Sequence, residues 1–497
     1  MSDVLLATSY QLALDPKQQR LMKPYPPLAT LTAAAYLREV GHHVAISDSM
    51  FQHGISHFES SLERLRPSVV ALYEDSFNWL NKMCLSNMRE VGLAQIRAAV
   101  RRNIPVVVSG PDASDHPELY LEVGARAVIS GEGEITLAAC VEVLAHGGTL
   151  EDIPGLILAA GKRTPPRPAL SDLDRLPFAA WDLIDIEPYR HAWKKKHGYF
   201  SLNQITTRGC PFRCNWCAKP TYGDHYVTRS PARVVEELAL QKRLFQPDHI
   251  WYADDILGLK KSWLLEFADR VEAAHLQLPF MCQTRVDLMT EKNVAALRRA
   301  GCDEVWMGAE SGSTKVLDAM EKGITPDETR AAVERLRHVG IRVALFLQLG
   351  YPGEEWDDIQ LTRQLVGDTL PDELGISVSY PLPGTRFYER VVDSLQEKTN
   401  WRHSDDLDPL FPGIYSAEFY RCLHTLIHAE HRSHLGLSTL RRFLTSPNLP
   451  SRRDLRQVGG LAKHLPGFAM RRIQVELMRR REDLTRNHVA SGKHMGG

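Results

Sequence analysis

Residues 206–223 constrain this chain more than any other stretch. Arg208-Gly209-Cys210-Pro211 leads into Cys214 and Cys217, a C-x3-C-x2-C spacing on a loop loosened by Gly209 and Pro211. Three thiolates this close can converge on one metal centre. A structural zinc site normally closes with four ligands, and most iron–sulfur cubanes also take four cysteines. Three cysteines therefore leave one iron of a cubane without a protein ligand, open to a substrate or cofactor. A zinc knuckle or three incidental thiols are the alternatives that the spacing by itself leaves.

At 497 residues the chain has room for two or three domains, each with its own core. A formal net charge of -1 argues against wholesale nucleic-acid binding. No apolar run approaches the roughly 20 residues that span a bilayer, and the short apolar run at the amino end has no basic stretch before it. A cytoplasmic protein without a transmembrane segment is expected. Cys84, Cys140, Cys282, Cys302 and Cys422 sit singly in apolar surroundings and read as reduced core thiols.

Over residues 1–150, apolar runs at 4–7, 43–47, 69–73, 105–109 and 125–130 alternate with helical patterns at 28–40, 80–102 and 134–146. This alternation predicts a parallel, doubly wound sheet of the flavodoxin or Rossmann kind. Such sheets bind ligands at the carboxyl ends of their strands. Three loops there carry candidate contacts: Pro26 after the first strand, Ser109-Gly110-Pro111 after the fourth, and Gly131-Glu132-Gly133-Glu134 after the fifth. Glycine permits close backbone approach to a bulky ligand, and a helix start supplies free N–H donors. The stretch 73–79, rich in aromatic and polar residues, either lines the same ligand or is a plain loop.

Five prolines between 154 and 177 predict an extended linker over 151–195. A second alternation, with strands at 200–207, 249–253, 280–285, 304–308, 343–349 and 374–380, suits an open, partial TIM-type (β/α)6 barrel over 196–390. Active sites of parallel barrels lie at the carboxyl ends of strands. Asp254, Asp255, Arg285, Glu310, Ser311 and Gly350 fall there. Residues 391–497 read as a mostly helical cap with a basic tail. His424 and His428 share a helix face, and a packed helix is expected over a metal site.

The cysteine stretch, with Trp216 before its last cysteine, resembles the signature of the radical S-adenosylmethionine (SAM) superfamily. The Pro-Pro-Leu loop, the helix end at 37–42 and the Gly-Glu-Gly-Glu loop resemble the cobalamin-binding domain that precedes the barrel in one large class of these enzymes. The D-x-H-x-x-G motif, whose histidine coordinates cobalt, is absent. The resemblance implies three cofactors: a 4Fe-4S cluster on Cys210, Cys214 and Cys217, SAM at its open iron, and cobalamin. It places the SAM amino group near Asp254 or Asp255, its carboxylate near Arg285, its ribose near Glu310 and Ser311, and its adenine and methionine parts along the backbone at Gly350. Cobalamin contacts fall to Pro26, Ser109, Gly110, Gly131, Glu132 and Gly133. The implied activity is methyl transfer to an unactivated carbon or phosphorus centre through a 5′-deoxyadenosyl radical. A radical oxidative cyclase and, outside enzymes, an iron–sulfur or cobalamin sensor are the other readings. Implied partners are a small-molecule or natural-product substrate and an external electron donor such as flavodoxin or ferredoxin, with no nucleic acid.

Overall fold

The computed structural model describes residues 3–219, 221–445 and 452–493. Its first sheet contains β1 (Val4–Ala7), β2 (Val44–Ser47), β3 (Val69–Tyr73), β4 (Val106–Ser109), β5 (Ala127–Ile129) and β6 (Leu156–Ile157), in the order β2-β1-β3-β4-β5-β6. The first five are parallel, and β6 is an antiparallel edge strand contributed by the proline-rich segment. The strands are continuous apolar runs because both faces are covered. Leu5, Val70, Leu72 and Val108 pack with Phe58, Leu62 and Ile96 on one side. Val4, Leu6, Val69 and Ala71 pack with Leu31 and Leu37 of α1 (Leu28–Glu39) on the other.

The helix expected over 80–102 is interrupted. A short turn, Trp79–Lys82, is separated from α2 (Ser86–Val100) by Cys84, whose φ is +51°. The reason is long-range. The Cys84 carbonyl accepts from Asn400 Nδ2, and Ser86 N donates to the Trp401 carbonyl. The helix over 134–146 is found as α3 (Glu134–Ala145). A further helix, Pro16–Leu21, was not anticipated; Asp15 caps it by accepting from Gln18 N.

The second sheet runs β14-β13-β12-β11-β10-β7, six parallel strands in sequential order. They are β7 (Ser201–Gln204), β10 (His249–Tyr252), β11 (Phe280–Thr284), β12 (Cys302–Glu310), β13 (Arg342–Leu349) and β14 (Glu373–Val378). The strand expected over 200–207 ends early, because Asp254 accepts from Thr206 N, Thr206 Oγ1 and Thr207 N and draws the chain out of the sheet. The chain then forms a two-stranded hairpin, β8 (Thr207–Arg208) with β9 (Val227–Thr228), whose tip is the cysteine loop.

The C-terminal part folds back as two long packed helices, α4 (Ala417–Thr445) and α5 (Arg452–Lys493). His424 and His428 stack edge to face at 4.6 Å on α4. Burial pushes them down to about 4 and about 2, so both rings are neutral packing groups at pH 7. Before α4, Ser404 donates to Asp15 at 2.7 Å and accepts from Gln18, sealing the cap onto the first domain. Of the expected core thiols, Cys84, Cys140, Cys282 and Cys302 are buried and Cys422 is half-buried. Among the described residues, no helix is long and apolar enough to cross a membrane.

Candidate functional site

The cysteine loop is tied down on all sides by its own neighbours. Gly209 has φ +75°, and a Cβ there would lie 1.8 Å from the His225 carbonyl oxygen, so only glycine closes this hairpin. Lys219 Nζ donates to the carbonyls of Cys210 at 2.8 Å and Phe212 at 2.7 Å. Asn215 Nδ2 donates to the Ala319 carbonyl at 2.7 Å, and Tyr351 OH donates to Asn215 Oδ1 at 2.8 Å. Cys210, Cys214 and Cys217 are unlinked and half-buried. Burial pushes the Cys217 thiol up to about 12, with Asp255 and the other two cysteines adding to the effect. Thiolates crowded in this way need a cationic partner to persist.

Among the described residues, no three Cys, His, Asp or Glu side chains gather closely enough for a single ion. The three soft donors on one fixed loop suit a cluster in which each iron takes one thiolate. An Arg285 N–H lies 3.7 Å from Cys214 Sγ, with the guanidinium 3.8 Å above the Phe212 ring. Asp287 and the Lys322 carbonyl hold Arg285 in place.

The other sequence candidates in the barrel divide. Glu310, 2% exposed with φ +58°, ends β12 and accepts from Lys322 Nζ at 2.6 Å and Gln348 Nε2 at 3.4 Å. A left-handed non-glycine of this kind is strained and is retained where its surroundings over-determine it. Asp255 is partly exposed and pairs with Lys82, which reaches across from the first domain. Asp254 instead is buried and spends both oxygens on Thr206 and Thr207, so it shapes the loop entry. Ser311 is buried with its hydroxyl on Thr362 and on Ser313 N, inside the turn. Gly350, at φ +75°, donates to Glu354 Oε2 at 2.5 Å, and a Cβ there would press on Tyr420 at 3.0 Å.

Glu354 was not anticipated. It is fully buried, its Oε1 has no hydrogen-bond partner, and burial pushes its carboxyl up to about 8. Below its unfolded value near 4.5 the acid is protonated in both states, and its contribution is fully present. Between that value and about 8 only the unfolded state ionises, so stability falls as pH rises, by up to about 1.4 kcal/mol per pH unit. Glu354→Gln is expected to flatten this part of the pH–stability curve. An unchanged slope in urea unfolding at pH 5.5, 6.5 and 7.5 would assign the dependence elsewhere.

The carboxyl-end loops of the first sheet face the cysteine loop. Phe77 stacks on Tyr222 at 5.2 Å, and Thr221 Oγ1 donates to Ser76 Oγ at 3.3 Å. Arg208, 1% exposed, donates to Glu134 at 2.5 and 3.3 Å, with Glu132 at 3.5 Å. Its guanidinium lies over the Tyr222 and Phe77 rings. The stretch 73–79 is therefore part of the interface, with Glu74 accepting from Ser9 N and Asp75 from Ala29 N and Phe77 N.

The Pro26 carbonyl accepts from Asn203 Nδ2 at 2.9 Å, which joins that loop to β7. Ser109 is buried at the end of β4, and its carbonyl accepts from Glu74 N. At Gly110 a Cβ would lie 2.8 Å from Glu74 Cβ, and at Gly133 2.4 Å from Tyr73 OH, so protein packing already requires both glycines. Gly131, at φ +91°, would meet only the Thr221 carbonyl at 4.0 Å and is the open position. Glu132 accepts from Leu170 N. Gly131 thus leaves open space on the cysteine-loop side where a cofactor's edge would be accommodated, and residues 8–27 after β1 contain no histidine that would ligate it. The pairings of Arg208 with Glu134 and of Lys82 with Asp255 were missed because nothing local in the sequence announces partners 74 and 173 residues apart.

The profile of the B12 binding domain matches residues 21–141, and that of the Radical SAM superfamily matches residues 205–366. An uncharacterized methyltransferase, PH0819, of Pyrococcus horikoshii is 28% identical over 78% of this chain and 83% of its own length. The hopanoid C-3 methylase of Methylococcus capsulatus is 26% identical over 84% and 78%. An anaerobic magnesium-protoporphyrin IX monomethyl ester cyclase of Synechocystis is 24% identical over 88% and 86%. The fold is shared with the radical SAM methyltransferase TsrM of Kitasatospora setae, at a TM-score of 0.64 and 20% identity over 79% of this chain and 78% of that one. With both domains matched in the order in which the two sheets occur, the chain is a radical SAM enzyme that carries a B12-binding domain ahead of its radical SAM domain.

Proposed function

We propose that this enzyme is a cobalamin-dependent radical SAM methyltransferase acting on an unactivated carbon or phosphorus centre of a small molecule. The observation that carries the reading is the meeting of the two carboxyl-end faces at Arg208–Glu134 and Phe77–Tyr222, which sets the cysteine loop against the Gly131 loop. When bound, the 4Fe-4S cluster, SAM and cobalamin supply reductive SAM cleavage and a transferable methyl group. The chain's own task is to bind, orient and keep water out. Cys210, Cys214 and Cys217 hold the cluster. Glu310, fixed by Lys322 and Gln348, accepts from ribose hydroxyls. Asp255 receives the SAM amino group, Arg285 sits by its carboxylate, and the Gly350 backbone flanks it. Pro26, Ser109, Gly110, Gly131, Glu132 and Gly133 border cobalamin. The assignment divides the chain into 1–150, a linker 151–195, a barrel 196–390 and a cap 391–497. It also carries an electron donor of the flavodoxin or ferredoxin type and a cytoplasmic setting. The relatives named methyltransferase or methylase favour methyl transfer over ring closure.

Anaerobic reconstitution with hydroxocobalamin tests the reading. About one cobalamin per chain is expected, with a base-off spectrum after reduction. In the same preparation, Glu310→Ala is expected to weaken SAM binding by about 1.5–3 kcal/mol, the range for a hydrogen bond to a charged group. The assay is 5′-deoxyadenosine formation against SAM concentration, with iron content unchanged. Absence of retained cobalamin would remove methyl transfer from the assignment, and an unchanged SAM dependence would make Glu310 a structural residue.

A further inference from the structure

Helix α5 has two unlike faces. Leu461 and Val475 are buried against the rest of the cap. At 100° per residue the opposite side is the line through Met470, Ile473, Leu477 and Leu484, and these side chains are 68%, 63%, 63% and 61% exposed. Soluble monomers rarely leave so continuous an apolar stripe in water. Arg480 and Arg481 flank the stripe and are exposed, Arg480 also pairing with Glu476 at 2.9 Å. Over 452–493 there are eleven Lys and Arg against four Asp and Glu. Charge and apolar surface therefore coincide on one outward face, remote in sequence from every site residue.

We propose that α5 docks this enzyme on an anionic lipid surface. The helix lies in the headgroup plane, with Met470, Ile473, Leu477 and Leu484 in the acyl boundary and Arg480 and Arg481 on lipid phosphates. It lies on the bilayer and does not cross it, since no described helix is long and apolar enough to span. A second copy of the chain is the poorer occupant. Two-fold pairing of the same face gathers Arg480 and Arg481 of both copies into one interface that brings them no added carboxylate, whereas a phosphate surface complements them.

The test is flotation of the full-length, cluster-loaded chain with vesicles of phosphatidylcholine alone and with about one third phosphatidylglycerol added. Binding is expected only to the anionic vesicles, and it should weaken as ionic strength rises. The double variant Ile473→Asp, Leu477→Asp should lower that binding at least tenfold. Both positions are exposed, so iron content and circular dichroism should stay as in the parent. Parent protein that fails to float with anionic vesicles overturns the proposal, as does equal flotation of the variant. A dimer in sedimentation analysis that the variant splits, without vesicle binding, also overturns it and gives the face to a second copy.

Discussion

Replacing Cys210, Cys214 and Cys217 together by alanine is expected to reduce iron from about four per chain to background after anaerobic reconstitution, and to abolish SAM cleavage. The three thiols are the soft donors of the loop. The loop should keep its shape, because its anchors are elsewhere. Lys219 holds the carbonyls of residues 210 and 212, Tyr351 and Ala319 hold Asn215, and Asp254 holds the entry. Circular dichroism and thermal unfolding of the apoproteins should therefore match. Full iron content in the triple variant would place the cluster elsewhere and remove the basis of the SAM assignments. A collapse of the fold would mean that the loop depends on its cysteines for shape, contrary to the anchoring described.

The second large effect is expected at Arg208. Its guanidinium and the Glu134 carboxylate are 1% and 2% exposed, so each is compensated mainly by the other. Removing one partner of such a pair typically costs about 3–5 kcal/mol, whereas replacing both by apolar groups of similar volume can be nearly neutral. Arg208→Met should therefore be strongly destabilising, and adding Glu134→Leu should restore much of the loss. Hydrogen exchange in full-length protein is the measurement, since it separates the two sheets where a single unfolding curve does not. Residues 131–134 and 209–226 should lose protection together in Arg208→Met, while β1 and β13 keep theirs. If the single variant costs less than about 1 kcal/mol, below the range for an unpaired buried charge, the aromatic contact of Phe77 with Tyr222 is what joins the faces.

The parallel strands were legible because each is a short apolar run between turn signals, and such runs need no knowledge of their partners. β1 and β3 fall where the apolar pattern puts them. The cysteine loop was legible because its spacing is local. What could not be read depends on residues far apart. Asp254 and Asp255 are adjacent and look equivalent, yet one faces inward to Thr206 and Thr207 while the other meets Lys82, 173 residues away. Arg208 and Glu134 are 74 residues apart and belong to different sheets. The break at Cys84 needs Asn400, 316 residues on. At Gly110 and Gly133, Glu74 and Tyr73 lie where a Cβ would go, so each glycine has a packing reason that the sequence does not display. Glycine in a sequence records that something is close, without saying what.

The seal between Ser404 and Asp15 joins positions 389 residues apart. Closing so long a loop costs little more than closing a shorter one, because the entropy grows only logarithmically. Time is the larger matter. At about 5–20 residues per second of synthesis, roughly 20–80 s separate the making of Asp15 from that of Ser404. Asp15 and Gln18, buried in the finished protein, stay in water over that interval. The first sheet can therefore form and stand open, its carboxyl-end loops uncovered, until the barrel and then the cap are made. Docking of the Ser404 segment onto Asp15 and Gln18 is the step that ends that interval.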